Sequence, residues 1–351
     1  MYAQAPKPDP DVLIFTNGDK LVGHLVSVAG STVDFKSDMV GEIKVDWKNI
    51  KELRSSAKFA VIPKGVKVLH KNESAVPQGT INMADQKIEV GATPPQSLPV
   101  GNVSNVVDEA AFQKAVMHTP GFFEDWSGTV TAGASIVEAT QDSETFTGSI
   151  SLVRTVPTEN WLDPRDRTLV NFTESYGTVS QPGSATLKTS IYHAGLERDE
   201  YVSPSIYAFG QGSFDHNFSQ GLDLQQTYSG GIGWTAVKDP NQTLDLKASM
   251  SYINQQFEAS SSNQSLIGST FAERYMRKLT HGIVFNQNLS VTPAWNNTNA
   301  YSAIASAGLT LPTYKRLAVS LNMTDAFLND PPPGFQKNSF QLTLGLTYSL
   351  R

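Results

Sequence analysis

The chain has 351 residues, a formal net charge of -6 and no cysteine. Disulfide staples, thiolate metal sites and cysteine nucleophiles are thereby excluded, and the acidic balance gives no basic footprint for nucleic acid. No apolar run approaches the ~20 residues of a spanning helix, a test that is silent on strands, which cross a bilayer in ~9 to 11 alternating residues.

The first residues, Met1-Tyr2-Ala3-Gln4-Ala5 before Pro6, have the small-x-small spacing of a signal-peptidase site without its apolar core. Residues 1–10 are accordingly read as a disordered start or a signal-peptide remnant. Residues 11–56 then read as short strands: Val12-Leu13-Ile14-Phe15, an Asn17-Gly18-Asp19 turn, Leu21 to Val26, Thr32 to Phe35 and Ile43 to Trp47, closing at Ile50 and Leu53. Residues 57–107 echo them. Gly79-Thr80-Ile81 repeats Gly23-His24-Leu25, Ile88-Glu89-Val90 repeats Val33-Asp34-Phe35, and Leu98, Val100, Val103 and Val106 repeat Val45, Trp47, Ile50 and Leu53. The pattern resembles the small Sm-like or SH3-like β modules, which implies two docking or spacer units for peptidoglycan or periplasmic proteins. A linker at 108–121 follows, helical over "DEAAFQKAVMH" with Asp108 as its cap, and stopped by Thr119-Pro120-Gly121.

From residue 122 to 351 apolar and small polar residues alternate. The clearest runs begin at Trp126, Tyr228, Leu244, Tyr301, Leu317 and Ser339; weaker ones begin near Phe146, Leu169, Thr189, Ser205, Ile267 and Ile283. About twelve strands result. A soluble β-sandwich and a closed transmembrane barrel both produce this period. Runs of about ten residues favour the barrel, since sandwich strands average ~5 to 6. Phe340 and Tyr348, one at each end of the last run, lie ~26 Å apart when extended. At a tilt of ~40° that projects to roughly 20 Å, close to the ~25 Å apolar band between aromatic girdles.

The fold expected is therefore all-β: an antiparallel transmembrane barrel preceded by the paired modules. Leu244, Leu246, Met250, Leu317, Val319, Leu321, Leu342, Leu344 and Leu346 are assigned to lipid, and Trp126, Tyr228, Trp234, Tyr252, Phe340 and Tyr348 to the girdles. Asp245 and Lys247 fall on the opposite parity and point to the lumen. With Trp126 starting from the periplasm, the turns returning there are compact, apart from "PTENWLDPRDR" at 157–167.

"GTVTAGASI", "LERDEYVSPSIYAFGQGSFDHN", "GGIGW" and above all "NDPPPGFQKNSFQLTLGLTYSL" resemble the YdiY-like outer-membrane family, domain of unknown function 481, over about 122–351. The resemblance implies an integral barrel of the bacterial outer membrane, with the membrane's lipid and its assembly machinery as partners, and carries no settled activity. Assembly signals usually finish on an aromatic, whereas this chain finishes Leu350-Arg351, so recognition would rest on Tyr348 and its neighbours.

No catalytic, metal or cofactor set emerges. Six histidines are scattered at 24, 70, 118, 193, 216 and 281 without ligand spacing. An enzyme acting on lipid or peptide at the outer rim would need His216 with Asp215, or His193 with Ser190, within hydrogen-bond reach. The expectation is a non-enzymatic barrel, a narrow channel or an envelope anchor.

Overall fold

Two periodic patterns separate at the linker, and the computed structural model builds them as two units. It describes residues 10–66, 68, 76–92, 94–117, 120–137, 142–159, 161–180 and 186–350. The chain start read as a signal-peptide remnant, and His70 and His118, lie outside these, Pro10 excepted.

The first unit is Met1–Gly121 with Glu159–Asp163. Its strands are β1 (Asp11–Phe15), β2 (Lys20–Ala29), β3 (Thr32–Ser37), β4 (Gly41–Asp46), β5 (Ile50–Pro63), β6 (Gln78–Ala84), β7 (Lys87–Val90), β8 (Gln96–Pro99) and β9 (Val103–Asp108). They hydrogen-bond in the order β4-β3-β2-β1-β5-β6-β7-β8, with β9 pairing β2 and β5. The two sequence copies share this one sheet. β5 runs unbroken through residues 56 and 57, and Leu13, Val33, Phe35 and Trp47 from the first copy meet Ile81, Met83, Ile88 and Val106 from the second in one core. The matching glycines are explained by close backbone crossings: a methyl group at Gly23 would lie 2.1 Å from Lys36 O, and at Gly79, where φ is +155°, 2.8 Å from Gly91 O. The helix α1 (Glu109–Met117) starts where expected, the Asp108 carboxylate accepting from Ala111 N at 2.9 Å. Its buried Phe112 stacks on Trp161 at 6.0 Å, so the long 157–167 turn carries a segment of this unit.

The second unit is a closed barrel of twelve antiparallel strands. They are β10 (Trp126–Val137), β11 (Asp142–Val156), β12 (Asp166–Ser180), β13 (Leu187–Tyr201), β14 (Ile206–Asn217), β15 (Leu222–Asp239), β16 (Gln242–Phe257), β17 (Gln264–Lys278), β18 (Val284–Thr292), β19 (Ser302–Tyr314), β20 (Leu317–Leu328) and β21 (Asn338–Ser349). Closure is made by β10 on β21, from Thr129 opposite Ser349 to Ala132 opposite Leu346. The start of β10 and the end of β21 therefore share one rim, called here the terminal rim. The turns on that rim are mostly tight, as at 240–241, where Asn241 N and Gln242 N both donate to Asp239 Oδ1 at 2.8 and 2.9 Å.

Among the described residues no second sheet covers the outward row, which sets the sandwich aside: Leu342, Leu344 and Leu346 are 63, 64 and 64% exposed. Cross-strand register carries this row round the barrel through Leu317, Val319 and Leu321 on β20 and Leu244, Leu246 and Met250 on β16. The aromatics form two bands on the same face. Phe340, Tyr228 and Tyr252 lie toward the distal rim, and Tyr348, Trp234 and Trp126 toward the terminal rim. Among the described residues no helix is long and apolar enough to cross a membrane.

A charge placed in this row tests it. Leu344→Arg should destabilise the barrel by about 2–4 kcal/mol, the cost of a cation near a bilayer midplane, and Thr343→Arg on the facing wall by much less; urea unfolding in lipid vesicles measures both.

Candidate functional site: the barrel lumen

Alternation turns every second residue inward, and the inward residues of β16 give the lumen its vertical plan. From the terminal rim they are Asp245, Lys247, Ser249, Ser251, Ile253 and Gln255. Ions, then hydroxyls, then amides succeed one another along that strand. Its neighbours continue each tier.

The ionic tier lies near the terminal rim. Arg167 of β12 donates from Nε to Asp199 Oδ2 on β13 at 2.6 Å, and its Nη1 lies 2.8 Å from Asp245 Oδ2 on β16. Thr235 donates to the other Asp245 oxygen at 2.6 Å. One rung further in, Lys247 Nζ lies 2.6 Å from Glu197 Oε2, and Arg274 Nη2 lies 3.6 Å from the same oxygen. Strands β12 and β16 are four apart in the ring, as are β13 and β17, so these side chains cross the interior as chords. Asp199 is 0% and Asp245 1% exposed. Such burial is tolerable for carboxylates because both meet the Arg167 cation, and Asp245 also accepts from Thr235.

Aromatic rings support the chords. The Arg167 guanidinium lies 5.1 Å from the Tyr207 ring centre and 5.8 Å from that of Tyr201, and Lys247 Nζ lies 5.0 Å from Phe209. Tyr207 fits because its cross-strand neighbour is Gly233, where a methyl group would lie 2.1 Å from the ring. That is the role of the last glycine in "GGIGW".

Above this, hydroxyls link four strands: Ser229 to Ser251 at 2.9 Å, Ser251 to Thr270 at 2.7 Å and Thr270 to Thr292 at 2.9 Å. Near the distal rim Gln255 donates to Gln225 at 2.7 Å, Gln264 to Gln255 at 2.9 Å and Asn297 to Gln264 at 3.1 Å.

The remaining wall differs. Among the described residues, β18 to β21, β10 and β11 turn no Asp, Glu, Lys or Arg inward along their membrane-spanning rows; they present Asn286, Asn288, Ser306, Asn322, Thr343, Thr131, Ser149 and their like. The lumen is thus braced and filled by ion-pair chords on the β12–β17 side and lined by small neutral polar groups on the other.

The histidine pairs singled out from the sequence separate. Asp215 and His216 are adjacent and so lie on opposite faces: His216 is outward, stacked on Tyr192 at 5.1 Å with Nδ1 2.7 Å from Asp223 O. Ser190 pairs with Tyr176 on the outward face, away from inward His193. Instead His193 Nδ1 meets Asp215 Oδ1 at 2.5 Å across β13 and β14, and Ser213 donates to Asp215 Oδ2 at 3.3 Å. The serine is on the carboxylate and not on the imidazole, so this set has no nucleophile-to-base proton path. No group of three or more metal-ligating side chains occurs among the described residues.

The family described as "Protein of unknown function, DUF481" matches residues 130–350. The chain belongs to this family. The match spans β10 to β21 and brings no activity with it. No curated protein matches the chain. Among solved structures it is similar to the translocator domain of autotransporter NalP from Neisseria meningitidis (13% identity, 64% of this chain and 87% of that one, TM-score 0.35). It is also similar to the NanC porin (7% identity, 63% and 100%, TM-score 0.38) and to the COG4313 outer membrane channel from Pseudomonas putida F1 (13% identity, 66% and 100%, TM-score 0.37).

Within this DUF481 barrel Asp245 and Lys247 face inward at the ionic tier. Sequence reasoning did not reach Arg167, Glu197 and Asp199, although Arg167 and Asp199 are direct cross-strand partners and the hairpin register pairs them. Arg274 is inward on Glu197, whereas its sequence neighbour Glu273 is outward and accepts from Gln287 at 3.3 Å.

Removing the shared cation tests the brace. Arg167→Leu leaves two buried carboxylates uncompensated and should cost about 3–5 kcal/mol of barrel stability. Adding Asp199→Asn and Asp245→Asn should return much of it, as read by urea unfolding in vesicles.

Proposed function

We propose that this chain is a non-enzymatic protein of the bacterial outer membrane whose barrel is a narrow passage for small solutes, with the N-terminal unit on the periplasmic side. The observation that carries the reading is the divided lumen. Twelve strands enclose more room than the eight that side chains fill and less than the sixteen of an open porin. Here the chords of Arg167, Lys247 and Arg274 take up the β12–β17 half. The β18–β11 side turns no charged side chain inward among the described residues, and the passage is assigned to it.

Location in the outer membrane is supported by the outward apolar row with aromatics at both ends, the pattern of strand-built membrane proteins. Periplasmic placement of the terminal rim is supported by its short turns, since outer-membrane barrels keep their longer loops outside. The outer-membrane assembly machinery and the lipid itself are the partners this entails. The nine-stranded unit would then be free to contact peptidoglycan or periplasmic proteins.

Planar bilayers decide between passage and filled anchor. Purified full-length protein should give discrete, small current steps in KCl, and Glu197→Ala with Lys247→Ala, clearing both ends of one chord, should enlarge them. A correctly folded barrel with no steps in either form would make the protein an anchor.

A further inference from the structure

Three inward asparagines stand apart from the hydrogen-bonded tiers. Asn171 of β12 lies opposite Gly195 of β13, and Asn322 of β20 opposite Gly308 of β19; Gly308 is flanked on its other side by Asn286 of β18. The glycines leave the amides room. A methyl group at Gly195 would lie 2.3 Å from Asn171 Oδ1 and 3.1 Å from His193 Nε2, and one at Gly308 would lie 2.4 Å from Asn322 Oδ1. Each of these two asparagines therefore leans over a glycine floor. Each is also the sixth residue of its strand counted from the terminal rim, and the two strands flank the uncharged wall of β21, β10 and β11. Asn171 and Asn286 are exposed and Asn322 is half-exposed. Among the described residues none of the three side-chain amides takes a hydrogen-bond partner, while the serines, threonines and glutamines of the neighbouring tiers are tied to one another.

Free amides in a narrow lumen offer a donor and an acceptor each and no charge. The charges at hand are already committed: Arg167 to Asp199 and Asp245, Lys247 to Glu197, and His193 to Asp215. An ion passing here would lose hydration without a free counter-charge, whereas a polyhydroxylated neutral molecule can exchange its water hydrogen bonds for amide ones. We infer that Asn171, Asn286 and Asn322 form a solute-binding collar for neutral polyhydroxylated molecules of monosaccharide size.

This inference rests on the passage proposed above. Its test uses proteoliposomes holding the full chain and three probes of one size: glucose, gluconate and glucosamine. Swelling should be fastest in glucose. Asn171→Leu and Asn322→Leu should each slow glucose by about fivefold, the weight of one ordinary hydrogen bond, while heat-modifiable migration, which reports the folded barrel, stays as in the parent. Asn322→Ser, which keeps a hydrogen-bonding group, should retain most of the glucose rate. Equal or faster swelling in either charged analogue, or leucine variants that pass glucose unchanged, would overturn the collar and leave the passage standing. Absence of KCl steps from the parent protein would overturn both.

Discussion

Hydrocarbon offers no hydrogen bonds, and that single fact organises the larger unit. Every backbone N–H and C=O of a strand crossing a bilayer needs a partner within the protein, so an open sheet edge there is untenable. The pairing of β10 with β21 removes the last edge. Once the ring is closed, period-two alternation has only two destinations, lipid or lumen, and each side chain's parity decides its chemistry. Leu342, Leu344 and Leu346 on one parity and Gln341, Thr343 and Thr347 on the other are two solutions to two solvents.

The lumen then inherits a problem the exterior does not have. A ring of twelve strands is too wide to be filled by ordinary side chains and too narrow for a broad channel. Long charged residues solve half of it by reaching across as chords, and their burial is made tolerable by pairing and by the rings of Tyr201, Tyr207 and Phe209. Gly233 is part of the same solution, since the Tyr207 ring occupies the space its side chain would need. The other half keeps short hydroxyl and amide side chains.

Much of this was legible in the residue order. Strand number, the two aromatic bands and the inward direction of Asp245 and Lys247 all follow from alternation, which is local and survives in any single segment. The ionic tier was not legible as a unit, because its members come from β12, β13, β16 and β17 and meet only after the ring closes. The same limit explains the histidines: neighbours in sequence, such as Asp215 and His216, are separated by the pleat, while His193 and Asp215 are joined by hairpin register. In the first unit the repeat was visible, but not that both copies share one sheet, which depends on β5 continuing through the junction between them.

The absence of native cysteine makes the central claim directly measurable. Single cysteines introduced one at a time from Gln341 to Tyr348 in the membrane-embedded protein would be exposed to a water-soluble maleimide and, separately, to a lipid-borne quencher of an attached fluorophore. Alternation with a period of two is expected: Leu342→Cys, Leu344→Cys and Leu346→Cys shielded from the maleimide and quenched by lipid, Gln341→Cys and Thr343→Cys labelled through the lumen and unquenched. Uniform labelling of the leucine positions from water, with no quenching by lipid, would contradict it.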